Sequence, residues 1–248
     1  MDYHFGDSVA GFAVAGGNTS WGLSQSLGTG RSDVFLAGVY GATHFGSAYL
    51  ASAVSFANHW ANTDRMAFGS DHLTSKFNAQ SLGVRAEAGN RFDNEIVAVT
   101  PYIAGEYQRF YTPNFSETAV AGGGFALTFK SGTVTEVRGE VGARFDKALI
   151  VGDGMSLTLR GRAAYAYDFI SDPGLLAIYQ AALAPGALAG ANVGFGVTGA
   201  PLPKSVFIGS AGAELQLGNN WALISKFDSQ FASHAQVYSG TGTVRYSW

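Results

Sequence analysis

The chain has 248 residues and a net charge of −3, with 34 glycines, charged residues at 13% and no cysteine. A net negative charge with no clustered basic stripe excludes a strong electrostatic claim on nucleic acid, and the missing cysteines exclude disulfides, zinc-thiolate sites and thiol nucleophiles. So few charges, against roughly a quarter of an average soluble chain, are too few to coat a soluble globule, while a hydrophobic content of 47% is ordinary. The apolar residues must therefore be dispersed, and alternation along strands is the obvious way to do so. Met1 to Phe5 carries neither the basic start nor the apolar core of a secretory signal, so a secreted reading requires a natural N-terminus further upstream.

Alternation is readable from the start of the chain, at residues 9–21, 31–45 and 48–62. Between residues 81 and 92, Leu82, Val84, Ala86 and Phe92 oppose Arg85, Glu87 and Arg91. A strand sends successive side chains to opposite faces, so this segment has one apolar and one charged face. Residues 101–111 follow, with Pro101 at the strand start, where proline is tolerated. The clearest case is residues 136–145: Glu136, Arg138, Glu140, Gly142 and Arg144 line one face, and Val137, Gly139, Val141, Ala143 and Phe145 the other. Residues 157–168 repeat the split, with Arg160, Arg162 and Asp168 opposing Leu159, Tyr165 and Tyr167. Three more strands fall at residues 206–217, 221–231 and 238–248, which makes ten full strands.

Joints between strands alternate in length. Gly46, residues 93–95 and residues 218–220 are tight and rich in Gly, Asn and Asp, as turns require. Residues 22–30, 65–72, 112–123 and 170–204 form longer loops at the opposite rim, and the joint at 147–154 is an exception on the short-turn rim. In the last long loop, Asp172 suits an N-cap and Pro173 a first helical position, which predicts a loop helix over residues 173–184.

Short turns on one rim and long loops on the other are the pattern of an antiparallel transmembrane β-barrel, and tilted strands of about 9–11 residues cross the hydrocarbon. A soluble β-sandwich also alternates, so which face is inside decides the class. Phe45, Phe92, Phe145, Tyr165, Tyr167, Trp221, Tyr246 and Trp248 gather near the ends of the apolar face, as interfacial girdles do. That places the charged face within, as a lumen lined by Arg85, Glu87, Arg91, Glu106, Glu136, Arg138, Glu140, Arg144, Arg160, Arg162, Glu214, Lys226, Asp228 and Arg245. Such a ladder provides a hydrated channel that a threading chain passes without being gripped; equally, it solvates and braces the wall.

No catalytic residue, metal site or cofactor is expected, and the chain does not read as an enzyme. Gly6-Asp7-Ser8-Val9 invites comparison with an esterase nucleophile block, but a nucleophilic serine needs an oriented base. No Asp-x-x-His block lies near the C-terminus, and Asp7-Ser8 between two strands reads as a turn. His4, His44, His59, His72 and His234 show no metal-ligand spacing and read as rim or loop residues.

Several stretches together resemble the translocator domains of autotransporters over nearly the whole chain. They are Gly30-Arg31-Ser32-Asp33-Val34-Phe35, the segment from Gly139 to Phe145, the Arg-Gly-Arg-Ala-Ala-Tyr-Ala-Tyr run from Arg160 to Tyr167, Ala211-Gly212-Ala213-Glu214-Leu215, Lys226-Phe227-Asp228, and the ending from Gly240 to Trp248. The resemblance implies a twelve-stranded barrel in the bacterial outer membrane that holds a helix in its lumen and lets an N-terminal passenger reach the cell surface. By that comparison the first strand, most of the second, the lumenal helix and the passenger are absent, and Asp2–Phe5 looks like the tail of the second strand. It also implies that Gly242, Val244, Tyr246 and Trp248 form an ending read by the barrel-assembly machinery. The partners expected are therefore outer-membrane lipid, that machinery and the protein's own passenger segment. A stand-alone diffusion pore and a soluble β-sandwich binding module are the alternatives. Inherited diameter argues against closure on ten strands, because strand number, shear and tilt are linked; the expectation is an incomplete barrel with a gap between the first full strand and the last.

Overall fold

Each stretch that alternates in the sequence is a strand of one antiparallel sheet. The computed structural model describes every residue except 25–27, 69–70, 123, 153–154, 172–173, 181–193, 199–202, 218–219, 234 and 248. The chain opens with β1 (Asp2–Phe5), β2 (Ser8–Gly22), β3 (Gly28–Phe45), β4 (Ala48–Met66), β5 (His72–Asn90) and β6 (Ala98–Thr112). Three short strands follow, β7 (Phe115–Ser116), β8 (Thr118–Ala121) and β9 (Leu127–Phe129), then the long β10 (Gly132–Gly152) and β11 (Met155–Ser171). After β12 (Gly174–Tyr179) and β13 (Gly194–Thr198) come β14 (Ser205–Gln216), β15 (Trp221–Ala232) and β16 (Gln236–Tyr246). The main sheet runs β1-β2-β3-β4-β5-β6-β10-β11-β14-β15-β16, every neighbour antiparallel, with β8 added beside β5. Ten of these are the full strands that the alternation predicts. Among the described residues β16 pairs only with β15, so the sheet curls without closing and β1 borders the opening.

The apolar face is the exposed one. Ile103, Val141, Tyr165, Phe207 and Phe231 stand in one cross-strand row, each exposed, Val141 at 57% while its neighbour Glu140 is at 7%. Fully solvated, such side chains would each forgo about 1.5–3 kcal/mol of burial; a hydrocarbon surround removes that cost. The described girdle aromatics, including Phe45, Phe92, Phe145, Trp221 and Tyr246, are exposed on this face as well. What is buried lies on the other side, where Tyr102 packs with Ala164, Ala166, Val206 and Ile208.

Three sequence expectations need correction. The joint at 147–154 is not an exception, because β10 runs to Gly152 and β11 starts at Met155, with Lys147↔Leu159 and Leu149↔Leu157 still paired. The strand that alternation places at 81–92 begins at His72, held by the ladder from Met66↔His72 to Ala57↔Ser81. There Lys76, Asn78 and Gln80 make the outer face polar while Leu73, Phe77 and Ala79 lie on the inner face, so the apolar phase inverts while the hydrogen bonds continue. The predicted loop helix is also wrong where the chain is described: Gly174–Tyr179 is a strand, paired with both β9 and β13. Cross-strand bonds satisfy its backbone, and a capping pattern alone does not outweigh two neighbouring strands. The rest of 173–184 lies outside the described residues, apart from Gln180.

The four-stranded sheet β13-β12-β9-β7 continues the wall upward. The pairing Thr112↔Gly132 runs on into Phe115↔Phe129, and Tyr167↔Ser205 into Gly174↔Thr198, each advancing equally on both strands. Arg65 braces this rim through Nε and Nη2 bonds of 2.8 and 2.6 Å to Glu117. Glu117 also accepts the backbone N–H of Leu127 at 2.9 Å.

Candidate functional site

Parity brings the charged residues onto one face, and register then places opposite signs side by side. Asp168, Arg138, Glu106 and Arg85 occupy one row across β11, β10, β6 and β5. Directly opposed unlike charges on a sheet stabilise their pair. Within the row Arg138 Nε donates to Asp168 at 2.5 Å, and Arg85 Nη1 lies 3.5 Å from Glu106. Glu136 adds a second carboxylate 3.0 Å from Arg138.

The densest cluster lies in the next rows toward the short turns. Glu140 accepts from the Tyr102 hydroxyl, from Arg162 and, at 3.3 Å, from Arg85. Glu87 accepts from Arg144 at 2.5 and 2.8 Å, from Tyr49 at 2.6 Å and from Arg85 at 2.9 Å. The Arg144 guanidinium also sits 4.2 Å from the centre of the Tyr102 ring, a favourable placement for a cation over an aromatic face. Two glycines make room for the tyrosines. A Cβ on Gly89 would come within 2.5 Å of the Tyr49 ring, and one on Gly142 within 2.8 Å of the Tyr102 hydroxyl.

These contacts give the direction of curl. Tyr49 on β4 and Arg144 on β10 hydrogen-bond at 2.6 Å although β5 and β6 lie between them. On a flat sheet three spacings of about 4.8 Å would separate their backbones by roughly 14 Å. The side chains converge because the sheet bends toward this face.

The remaining charges pair in smaller groups. Glu214 lies between Arg160, at 2.7 Å, and Arg245, which crosses from β16 over β15. Lys226 pairs with Asp228 at 2.8 Å. At the short-turn rim Arg91 bonds Asp146 at 2.7 Å and Asp93 at 2.8 Å, and the bond to Asp146 foremost raises the Arg91 guanidinium's pKa above its ordinary value. A cavity of about 660 Å³ opens there, lined among others by Tyr49, Arg91, Arg144, Asp146 and Arg160. Every charge that the sequence assigns to the lumen thus has an opposite partner within 4 Å.

Four participants escape the sequence ladder: Tyr49, Tyr102, Asp146 and Asp168. Parity alone places Tyr102 with Glu106 and Asp146 with Arg144, so the signal was present; tyrosines read more naturally as girdle residues. Among the histidines, His59 is not in a loop: it lies within β4 and bonds Ser81 at 3.1 Å. His72 opens β5 and meets Asp64 at 2.8 Å, and His234 lies outside the described residues. Ser8 opens β2 and donates its hydroxyl to Thr43 at 2.8 Å. The terminal residues Gly242, Val244 and Tyr246 share the outer face of β16, and Tyr246 meets Trp221 with ring centroids 5.0 Å apart. Trp248 lies outside the described residues.

A family model described as the autotransporter beta-domain matches residues 1–225. Among solved structures the chain is similar to the translocator domain of autotransporter NalP from Neisseria meningitidis. The two are 16% identical with a TM-score of 0.76, over 97% of this chain and 75% of that one. It is also similar to the beta domain of the Bordetella autotransporter BrkA, at 16% identity and a TM-score of 0.65, over 97% of this chain and 92% of that one. At such identity the likeness to those two structures is one of fold. No curated protein matches.

Proposed function

The chain belongs to the autotransporter beta-domain family, and we propose that this outer-membrane translocator of type V secretion uses its charged inner face as the wetted wall past which a passenger segment reaches the cell surface. The observation that carries this reading is the pairing of every lumen charge within the wall itself. A lumen facing unpaired charges would hold a polypeptide by its own charges. A lumen whose arginines and carboxylates already satisfy one another is hydrophilic yet weakly adhesive, since each pair has little left to give a passing chain.

In the same reading the apolar outer face contacts outer-membrane lipid. The terminal Gly242, Val244, Tyr246 and Trp248 supply the apolar edge that the barrel-assembly machinery engages. The chain performs no reaction; its chemistry is that of a wall and an anchor. The test is a fusion carrying a secretory signal and an epitope-tagged segment ahead of the chain, expressed in a Gram-negative cell. The expected result is that protease added to intact cells removes the tag while the β-domain remains in the outer-membrane fraction. A tag cut only after lysis, with the β-domain correctly embedded, would overturn the translocator role.

A further inference from the structure

Cations on the inner face are all paired, but two on the outer face are not. Lys76 on β5 and Arg109 on β6 are exposed and have no acidic or hydrogen-bonding partner among the described residues. Both share the face of Phe56, Leu82 and Val84, as the pairings Phe56↔Leu82, Leu82↔Arg109 and Asn62↔Lys76 require. An unpaired cation in hydrocarbon costs roughly 2–4 kcal/mol at mid-depth and almost nothing at the interface, so depth decides what these side chains do.

The height follows from the strand. Val99 stands opposite Phe145 and bridges to Phe92, at the girdle of the short-turn rim. From Val99 to Arg109, at about 3.3 Å per residue and a tilt of about 40°, the strand rises roughly 25 Å, the height of the apolar band. Arg109 therefore reaches the upper boundary of the hydrocarbon, between the outward rings of Tyr107 and Tyr111. Above it the outer face turns to amides, with Asn58↔Gln80, then Trp60↔Asn78, then Asn62↔Lys76. Trp60, Asn62, Lys76, Asn78 and Asn114, with Phe77 and Phe115 beside them, line a cleft of about 550 Å³.

We propose that this strip is a binding site for a phosphorylated glycolipid of the outer leaflet. Its acyl chains lie on Phe56, Leu82 and Val84, and the apolar face of a sugar rests on Trp60. The amides of Asn62 and Asn78 meet hydroxyls, and phosphates engage Lys76 and the upward-reaching Arg109. Long cationic side chains at the edge of an apolar band extend toward the headgroup level, and a phosphate supplies the acceptors that the protein itself does not provide here. The site rests on the membrane reading of the fold but is separable from it.

The test uses the chain refolded in detergent micelles, with binding measured by native mass spectrometry. The probes are a diphosphorylated diglucosamine lipid, its dephosphorylated form and phosphatidylglycerol. The diphosphorylated lipid is expected to bind at least about tenfold more tightly than either comparator, as loss of charge-assisted hydrogen bonds implies. The Lys76→Gln/Arg109→Gln variant loses that preference, whereas Lys204→Gln, on the loop before β14, keeps it. Trp60→Ala weakens both sugar lipids alike. Equal binding of the three lipids by a folded barrel, or an undiminished preference in the double variant, would overturn the site. Failure of the unaltered chain to fold in micelles would overturn the membrane reading itself.

Discussion

Replacing Glu140 with alanine removes the hub of the inner network, and the cost can be worked out partner by partner. Arg85 loses a contact at 3.3 Å but keeps Glu87 at 2.9 Å and Glu106 at 3.5 Å. Tyr102 loses its acceptor, and among the described residues Arg162 is left with only the Tyr102 hydroxyl at 2.6 Å. Orphaning one member of a fully buried pair costs about 3–5 kcal/mol, whereas exposed pairs are worth about 0–1. The Glu140 side chain is 3% exposed and that of Arg162 is 21% exposed, so water in the lumen solvates part of the orphan. The expected loss is about 2–3 kcal/mol, discounted from the buried figure. The assay is reversible urea unfolding of the barrel in micelles or vesicles, followed by tryptophan fluorescence, for Glu140→Ala, Arg162→Ala and the double variant. Because both single changes break one interaction, the cycle should show a coupling of about 1–2 kcal/mol. Glu106→Ala, whose carboxylate is 3.5 Å from Arg85 and 24% exposed, is the control and should cost under about 1 kcal/mol. If Glu140→Ala matches Glu106→Ala, or Arg162→Ala costs the same in both backgrounds, the network is not a coupled unit.

Gly142→Ala places a Cβ 2.6 Å from that of Ala164 and 2.8 Å from the carbonyl oxygen of Ala163. It should destabilise by about 1–3 kcal/mol of overpacking, read by the same unfolding assay; an unchanged midpoint would mean that the strands part easily there. Val141→Arg puts a charge on the exposed apolar row and should cost about 2–4 kcal/mol in a bilayer, whereas Thr158→Arg, on the inner face opposite Glu214, should cost clearly less. Equal effects would remove the distinction between the faces. Replacing Tyr246 and Trp248 together with aspartate should sharply lower the yield of folded, heat-modifiable protein in the outer membrane of expressing cells, because it removes the apolar ending that ties the terminus into the wall. A normal yield would exclude recognition of that ending.

Most of the wall was legible because a bilayer imposes period two wherever a strand crosses it: Val141 and Glu140 must differ if one meets lipid and the other water. Legibility stops where lipid stops. Around Lys76, Asn78 and Gln80 the outer face is polar and the apolar Leu73, Phe77 and Ala79 lie on the inner face, so the phase of the alternation inverts and the strand start at His72 does not read as part of the same strand, although the ladder with β4 is unbroken. Gly174–Tyr179 was misread for a related reason. Asp172-Pro173 is a local helix signal, while the partners of β12 lie 48–52 residues upstream in β9 and 16–24 residues downstream in β13, as Ala177↔Phe129 and Gly174↔Thr198 show. For the inner network, parity gave the face of each charge but not its partner. That Arg144 would reach past β6 to Glu87 depends on curvature, which no single strand encodes. Tyr49 and Tyr102 escape the ladder because an aromatic ring on a barrel strand suggests a girdle, although parity sets Tyr102 with Glu106 and the glycines at 89 and 142 leave room for both rings on the inner side.

The proposed function requires the charged face to look inward to water and the apolar face outward to lipid. Because the chain has no cysteine, single cysteines at each position from 136 to 145 on β10 can be labelled with an environment-sensitive fluorophore without background. In vesicles containing brominated lipid, fluorophores at 137, 139, 141 and 143 should be quenched, and those at 138, 140, 142 and 144 should instead respond to a soluble quencher. Inverted phases, or quenching without a period of two, would exclude that orientation.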